Sequence, residues 1–168
     1  MPLQPGRYLT FHLGLSNYGV PLRDVREVVR LCPITAVPNM PLHIRGVINL
    51  RGAVLPVFDL RAKFDMVTVD YDDRSCIVVF DIGGKPGHTG VIGAIVDGVD
   101  DVVVLGAAQL AAAPDFSGAV EGEYLLGVGT TAERVFALLN MKNILVAEGS
   151  LVMPSLTLTA ASSGSESV

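Results

Sequence analysis

The sequence predicts an all-β protein built as small barrels, and three observations predict it. Leu9, Phe11, Leu13 and Leu15 alternate with Tyr8, Thr10, His12 and Gly14, the period of a half-buried strand. Short β-favouring runs then recur along the whole chain. Gly, Pro and Asp clusters separate most of these runs, and many short strands with turn signals between them are the signature of small barrels.

Taken in order, the chain opens with the alternating strand at Tyr8–Leu15. A turn at Ser16-Asn17 leads to a second strand over Asn17–Val20. Val25, Val28 and Val29, with Asp24, Arg26 and Glu27 between them, read as a short helical turn running into a strand. Pro33, Pro38 and Pro41 break the chain repeatedly, so Pro33–His43 is expected to cross the surface as a loop, with one turn of helix before Gly46. Val47–Leu50 and Ala53–Leu60 form a hairpin with Arg51-Gly52 at its tip, because glycine adopts the positive φ that tight turns demand. Pro56 lacks an N–H, which places its strand at an edge, at a bulge, or where no ladder donor is needed. Further strands are expected at Cys76–Ile82, Val91–Val96, Val102–Leu105, Tyr124–Val128 and Arg134–Leu139, then a brief helix within Asn140–Ala147. The end of the chain, rich in Ser, Thr and Ala, lacks the apolar content to pack and is expected to be disordered. One domain over 7–147 and a tail over 148–168 are therefore expected.

Composition narrows the function classes. Of 168 residues, half are apolar and 17% are charged, with a mean hydropathy of +0.50, so apolar side chains exceed what one core needs and some are expected at partner surfaces. Twelve scattered basic residues against seventeen acidic ones give a net charge of −5, which argues against nucleic acid as a partner. Cys32 and Cys76 lie far apart, and the amino terminus has no apolar stretch of signal-peptide type, so a reduced, cytoplasmic setting is expected. The apolar stretch Ile144–Leu158 is broken by Glu148, Gly149 and Pro154, and no membrane insertion is expected.

Motifs of catalysis are weak. Asp70, Asp72 and Asp73, and again Asp97, Asp100 and Asp101, supply oxygens without the spacing of a calcium loop, and Asp caps backbone N–H groups in turns. Gly83–Gly90 is glycine-rich, but a proline follows Lys85 and a strand comes next, so it reads as a long hairpin loop rather than a phosphate cradle. His12, His43 and His88 share no metal-ligand spacing. No enzyme activity and no cofactor are expected. Arg51 stands out, because a turn tip fixes its direction: its guanidinium serves either a carboxylate or carbonyl on a partner, or a local ion pair.

Several segments together carry a family resemblance: Tyr8-Leu9-Thr10-Phe11, Val25-Arg26-Glu27-Val28, Gly46-Val47-Ile48-Asn49-Leu50-Arg51-Gly52 and Pro56-Val57-Phe58-Asp59-Leu60-Arg61. It continues through Val96-Asp97-Gly98-Val99-Asp100-Asp101-Val102 and Tyr124-Leu125-Leu126-Gly127-Val128-Gly129. In order and separation these resemble the CheW domain over Arg7–Ala147. The resemblance implies two SH3-like five-stranded β-barrels packed together, with short helical segments. It also implies a non-catalytic adaptor that couples chemoreceptors, the methyl-accepting chemotaxis proteins, to the histidine kinase CheA in arrays at the cytoplasmic side of the membrane. The family also holds the regulatory domain of CheA and part of CheV, but the length expects the stand-alone adaptor. The implied partners are the CheA regulatory domain, the cytoplasmic tip of a receptor hairpin, and further CheW copies in array rings. Carried over motif by motif, Val25, Glu27, Arg51 and Gly52 are receptor-binding candidates, and Gly46, Ser75, Cys76 and Ile77 are kinase or array contacts. The Gly83–Gly90 loop is longer and richer in glycine than the family's hairpin there. The alternative is a β-barrel enzyme or small-ligand receptor with a polar site between the barrels, which a convergent polar cavity would favour.

Overall fold

The computed structural model describes residues 3–39, 43–81, 83, 90–112 and 124–146; the Gly83–Gly90 loop, apart from its two end residues, and the tail from 147 onward lie outside the described residues. Among the described residues eleven strands form two sheets. The first holds β1 (Gly6–Leu13), β2 (Ser16–Pro21), β8 (Gly98–Leu105), β9 (Leu110–Ala111), β10 (Leu125–Thr130) and β11 (Val135–Leu139), in the order β8-β1-β2-β11-β10-β9. The second holds β3 (Val25–Arg30), β4 (Ile44–Leu50), β5 (Ala53–Asp59), β6 (Cys76–Asp81) and β7 (Val91–Val96), in the order β3-β6-β7-β5-β4. The second sheet is thus a contiguous insertion between β2 and β8. Two short helices, α1 (Leu60–Lys63) and α2 (Met141–Val146), complete the regular structure of the described residues together with 3-10 turns at Leu22–Asp24 and Ala107–Gln109. Among the described residues no helix is long and apolar enough to cross a membrane.

The alternation of side chains explains the apolar composition. In β6, Val78 and Phe80 enter a core shared by both sheets with Phe11, Leu13 and Tyr18 of β1 and β2, while Ile77 and Val79 face a second cluster with Ile48, Leu55, Val57 and Ile95. A strand buried on both faces reads as a continuous apolar run rather than an alternating one. A third cluster, built on Tyr8, Leu105, Phe136 and Leu138, fills the far side of the first sheet. Much of the apolar surplus is therefore absorbed inside. The rest is exposed at Leu15, Val28, Val67, Val69, Tyr71, Val102, Val104 and Val135.

One local expectation is corrected and another is narrowed. The residues before Gly46 form strand rather than helix, because β4 begins at Ile44 and Gly46 itself pairs with Val57. Of the three settings expected for Pro56, the structure shows the last and not an edge: β5 lies between β7 and β4. Val47 exchanges both backbone hydrogen bonds with Thr35, at 2.9 Å each, so its polar groups point away from β5 and its opposite residue Pro56 owes β4 no donor. On the other side, pairing with β7 starts only at Val57. Proline thus occupies a site inside the sheet where no ladder N–H is required. The helical turn expected near Val25 comes slightly earlier, at Leu22–Asp24, and runs into β3 as expected.

Candidate functional site

The hairpin tip between β4 and β5 is a two-residue turn closed by the pair Leu50 and Ala53. Its central residues have positive φ, 51° at Arg51 and 88° at Gly52, the pattern of the primed turns whose twist matches the strands. Glycine accepts this freely, whereas at arginine it costs about 1–2 kcal/mol. Asn49 Oδ1 accepts the Gly52 N–H at 2.8 Å and fixes the turn. The Arg51 side chain is directed outward and remains 69% exposed, with its guanidinium on the Glu27 carboxylate.

That ion pair joins strands at opposite ends of the sheet, β3 and the β4–β5 tip, so the sheet curls until its edges approach. Register along β3 and β6 shifts between Val25 and Glu27, and the extra residue, Arg26, turns out to Asp81 at 3.2 Å. Glu27, Arg51 and Gly52 come together at the curl. Val25 lies across the bulge, half-buried against the shared core. Arg51 makes the local ion pair, and its side chain still faces solvent over most of its surface.

The second set is dispersed. Gly46 is buried under Thr35 on the edge strand β4, whereas Ser75 precedes and Cys76 and Ile77 begin β6, three places away in the pairing order with β7 and β5 between. Ser75 is buried and its Oγ accepts the Asp72 N–H at 2.9 Å; Ile77 is wholly inside the core. Only Cys76 of these four offers a part-exposed side chain, with its Sγ donating to the Arg74 carbonyl at 3.0 Å.

The acidic residues serve the backbone and the arginines. Asp72 accepts the Arg74 N–H at 2.8 Å. Asp97 receives Arg61 through Nε at 2.9 Å and Nη2 at 2.5 Å, together with the Gly14 N–H at 2.7 Å. Asp100 meets His12 Nδ1 at 3.0 Å. Among the described residues no three His, Cys, Asp or Glu side chains gather as a metal would require. Sequence reasoning saw Asp97 as one of an acidic cluster and missed its bond to Arg61; the family motifs holding both residues were the available signal.

The small-ligand alternative would need a convergent polar cavity, and an open cleft of about 690 Å³ is lined by His43, Arg45, Ala62, Asp65, Met66 and Thr68. Beside it Asp59 is buried, but its carboxylate is already occupied. It caps α1 through the N–H groups of Arg61 and Ala62, and it accepts Tyr71 Oη at 2.8 Å and Arg45 Nη2 at 3.4 Å. Burial, and then the hydrogen bond to Asp59, push the Tyr71 phenol up to about 12. Neutral phenol is the bonded form, so this contribution to stability is full below about pH 10 and is lost as pH rises through 12. In a spectrophotometric titration, the signal missing from Tyr71→Phe is expected to have a midpoint of about 12. The same variant is expected to lose about 1 kcal/mol in urea unfolding, since the bond is to a charged acceptor but the ring is partly exposed.

The family comparison decides the kinship. The family model described as CheW-like domain matches residues 7–149. The chain belongs to the CheW family. It is 38% identical to the chemotaxis protein CheW of Klebsiella aerogenes over 141 residues, covering 84% of this chain and 82% of that one. It is 32% identical to protein FrzA of Myxococcus xanthus over 144 residues, covering 82% and 84%. Among solved structures, the scaffolding protein TtCheW of Thermoanaerobacter tengcongensis aligns with a TM-score of 0.76 at 27% identity, covering 87% of this chain and 96% of that one. The two curled sheets are the two SH3-like barrels of the CheW fold, one sheet carrying the two-residue β9 as a sixth strand.

Proposed function

We propose that this chain is a non-catalytic chemotaxis scaffold that couples chemoreceptors to the kinase CheA at the cytoplasmic face of receptor arrays. The observation that carries the reading is Arg51, an exposed guanidinium held by a positive-φ turn and braced by Glu27 where the edges of the second sheet approach. A rigid turn places the fork in one direction, so a receptor helix laid beside it is fixed in register, while Val25 and the exposed Val28 supply apolar contact. The start of β6, around Cys76, and the β4 edge at Gly46 are the surfaces proposed to meet CheA or neighbouring copies. Residues 7–147 act as one unit in this reading, with 148–168 as an appended tail. No covalent step is needed, because a bound partner alters a kinase's output by favouring one of its conformations.

The test is a titration of the purified chain with a CheA regulatory domain and with a receptor signalling tip. Arg51→Ala is expected to fold normally, keep its affinity for CheA, and lose about 1–3 kcal/mol of receptor affinity, the worth of a hydrogen bond to a charged group. Unchanged receptor affinity in the folded variant would refute the role given to Arg51. Failure of the parent chain to bind either partner would remove the coupling function itself.

A further inference from the structure

The segment that joins α1 to β6 is anchored at both ends and free between them. The Met66 N–H donates to the Arg61 carbonyl at 2.8 Å, and Arg61 Nη1 donates to the Val67 carbonyl at 2.7 Å. At the far end Tyr71 Oη donates to the buried Asp59 at 2.8 Å, and the Asp72 N–H donates to Ser75 Oγ at 2.9 Å. From Met66 to Asp72 the chain runs without a turn or bend. Among the described residues the backbone N–H and C=O groups of Thr68, Val69 and Asp70 have no hydrogen-bond partner. All three residues are exposed, so water satisfies these groups until another strand takes its place.

The side chains turn the same stretch into an apolar row. Met66 and Thr68 line the cleft shared with His43, Arg45 and Ala62. Val67 and Val69 stand in solvent, 83% and 49% exposed, and Tyr71 follows at the same spacing, 38% exposed. Val and Tyr at alternate positions favour a strand, yet no strand of the described residues lies beside them.

Charge surrounds the row with one sign. Residues 65–74 hold four carboxylates, Asp65, Asp70, Asp72 and Asp73, against the single guanidinium of Arg74. Asp72 accepts the Arg74 N–H, but among the described residues Asp65, Asp70 and Asp73 lie within ion-pair distance of no basic side chain. In this they differ from Asp59, Asp81, Asp97 and Asp100, each of which meets an arginine or histidine.

We propose that Val67–Tyr71 receives an extended segment of a partner protein in which basic residues alternate with aliphatic ones. The segment adds as a strand to the free backbone of Thr68–Asp70, with its aliphatic side chains on Val67, Val69 and Tyr71. Its cationic groups meet Asp70 and, at the ends, Asp65 and Asp73, so charge selects the occupant. A second copy of this chain is the wrong occupant, because antiparallel self-pairing about Val69 sets Asp65 against Asp73 at both ends. The surface is separate from the Arg51 tip, which precedes β5 whereas α1 and this segment follow it.

The probe is a synthetic peptide, Lys-Val-Lys-Val-Thr-Val-Thr-Lys, blocked at both ends and titrated into the full chain with amide shifts followed by NMR. Shifts concentrated at residues 65–73 are expected. N-methylation of the two central residues, which blocks both edges of the peptide and keeps its charge, is expected to weaken binding at least about tenfold. Glu in place of every Lys is expected to abolish binding. The Asp70→Asn/Asp73→Asn double variant is expected to lose about tenfold, as a lost charge-assisted contact implies, and to keep the parent's urea midpoint because both side chains are exposed. Arg51→Ala is expected to bind as the parent does. Absence of binding, equal affinity for the N-methylated peptide, an unaffected double variant, or shifts centred elsewhere would overturn the proposal. Full displacement by an equal concentration of spermine would also overturn it, because the surface would then be a simple polycation site.

Discussion

Replacing Gly46 by alanine is expected to destabilise the protein by about 2–6 kcal/mol, from backbone strain and from lifting the segment that crosses it. A Cβ at this position would stand 2.0 Å from the Thr35 carbonyl oxygen and 2.7 Å from its carbon, with Ala36 Cα at 3.1 Å. All three obstacles are backbone, so no rotamer change relieves them. The φ of +145° is itself a conformation that side chains rarely adopt. To admit the methyl group, the crossing segment must rise off β4 and give up the reciprocal Thr35–Val47 hydrogen bonds. Urea unfolding measures the loss, and hydrogen exchange locates it at the Thr35 and Val47 amides. Because the clash is with backbone, adding Thr35→Gly is expected to restore nothing. A rescue by that second change would show that the obstacle was the threonine side chain. Any partner binding lost by Gly46→Ala is then a consequence of the lifted segment, since Gly46 has no side chain to offer and is buried.

Whether an element was legible in the sequence depended on how local its cause is. The strand Val91–Val96 was read to the residue, and the strand expected over Cys76–Ile82 is found over Cys76–Asp81, Ile82 lying outside the described residues, because a β-favouring run between turn residues is a property of neighbours in the chain. The Arg51-Gly52 turn was legible for the same reason. Pro56 was narrowed to three settings, and which of them holds was not legible, because its tolerance comes from Thr35, a residue far off in sequence that turns Val47 outward. The split of the chain into two sheets, with β3 to β7 inserted between β2 and β8, left no mark in composition and came only through resemblance. At the candidate site the tip arginine was evident, but its contact with Glu27 was not, since it forms only when the sheet curls. Asp97 was misfiled with its acidic neighbours for a similar reason: its partners Arg61 and Gly14 reach it from two other parts of the fold.

Breaking that last contact is expected to loosen the joint between the barrels. Arg61 follows β5 in one sheet, Gly14 turns between β1 and β2 in the other, and Asp97 sits on the crossing from β7 to β8. A single carboxylate therefore ties three segments from both sheets, and Arg61 adds a fourth by donating Nη1 to the Val67 carbonyl at 2.7 Å. The Arg61 and Asp97 side chains are only 13% and 22% exposed, so neither is well hydrated when its partner is gone. Arg61→Ala is expected to cost about 2–4 kcal/mol, somewhat below a fully buried pair because some water reaches Asp97. The hydrogen bonds from Arg61, followed by the Gly14 N–H, outweigh burial and hold the Asp97 carboxyl below the usual carboxylate range. A lowered folded-state pKa gives stability that is complete above about pH 4 and is lost as pH falls through the lower folded value. Asp97→Asn keeps the side chain's shape and removes the charge, so its urea midpoint is expected to be lower at neutral pH and to fall less between about pH 5 and pH 2 than that of the parent. Parallel pH profiles for parent and variant would mean that the ionised carboxylate contributes nothing specific, and that hydrogen bonding by shape alone holds the two barrels together.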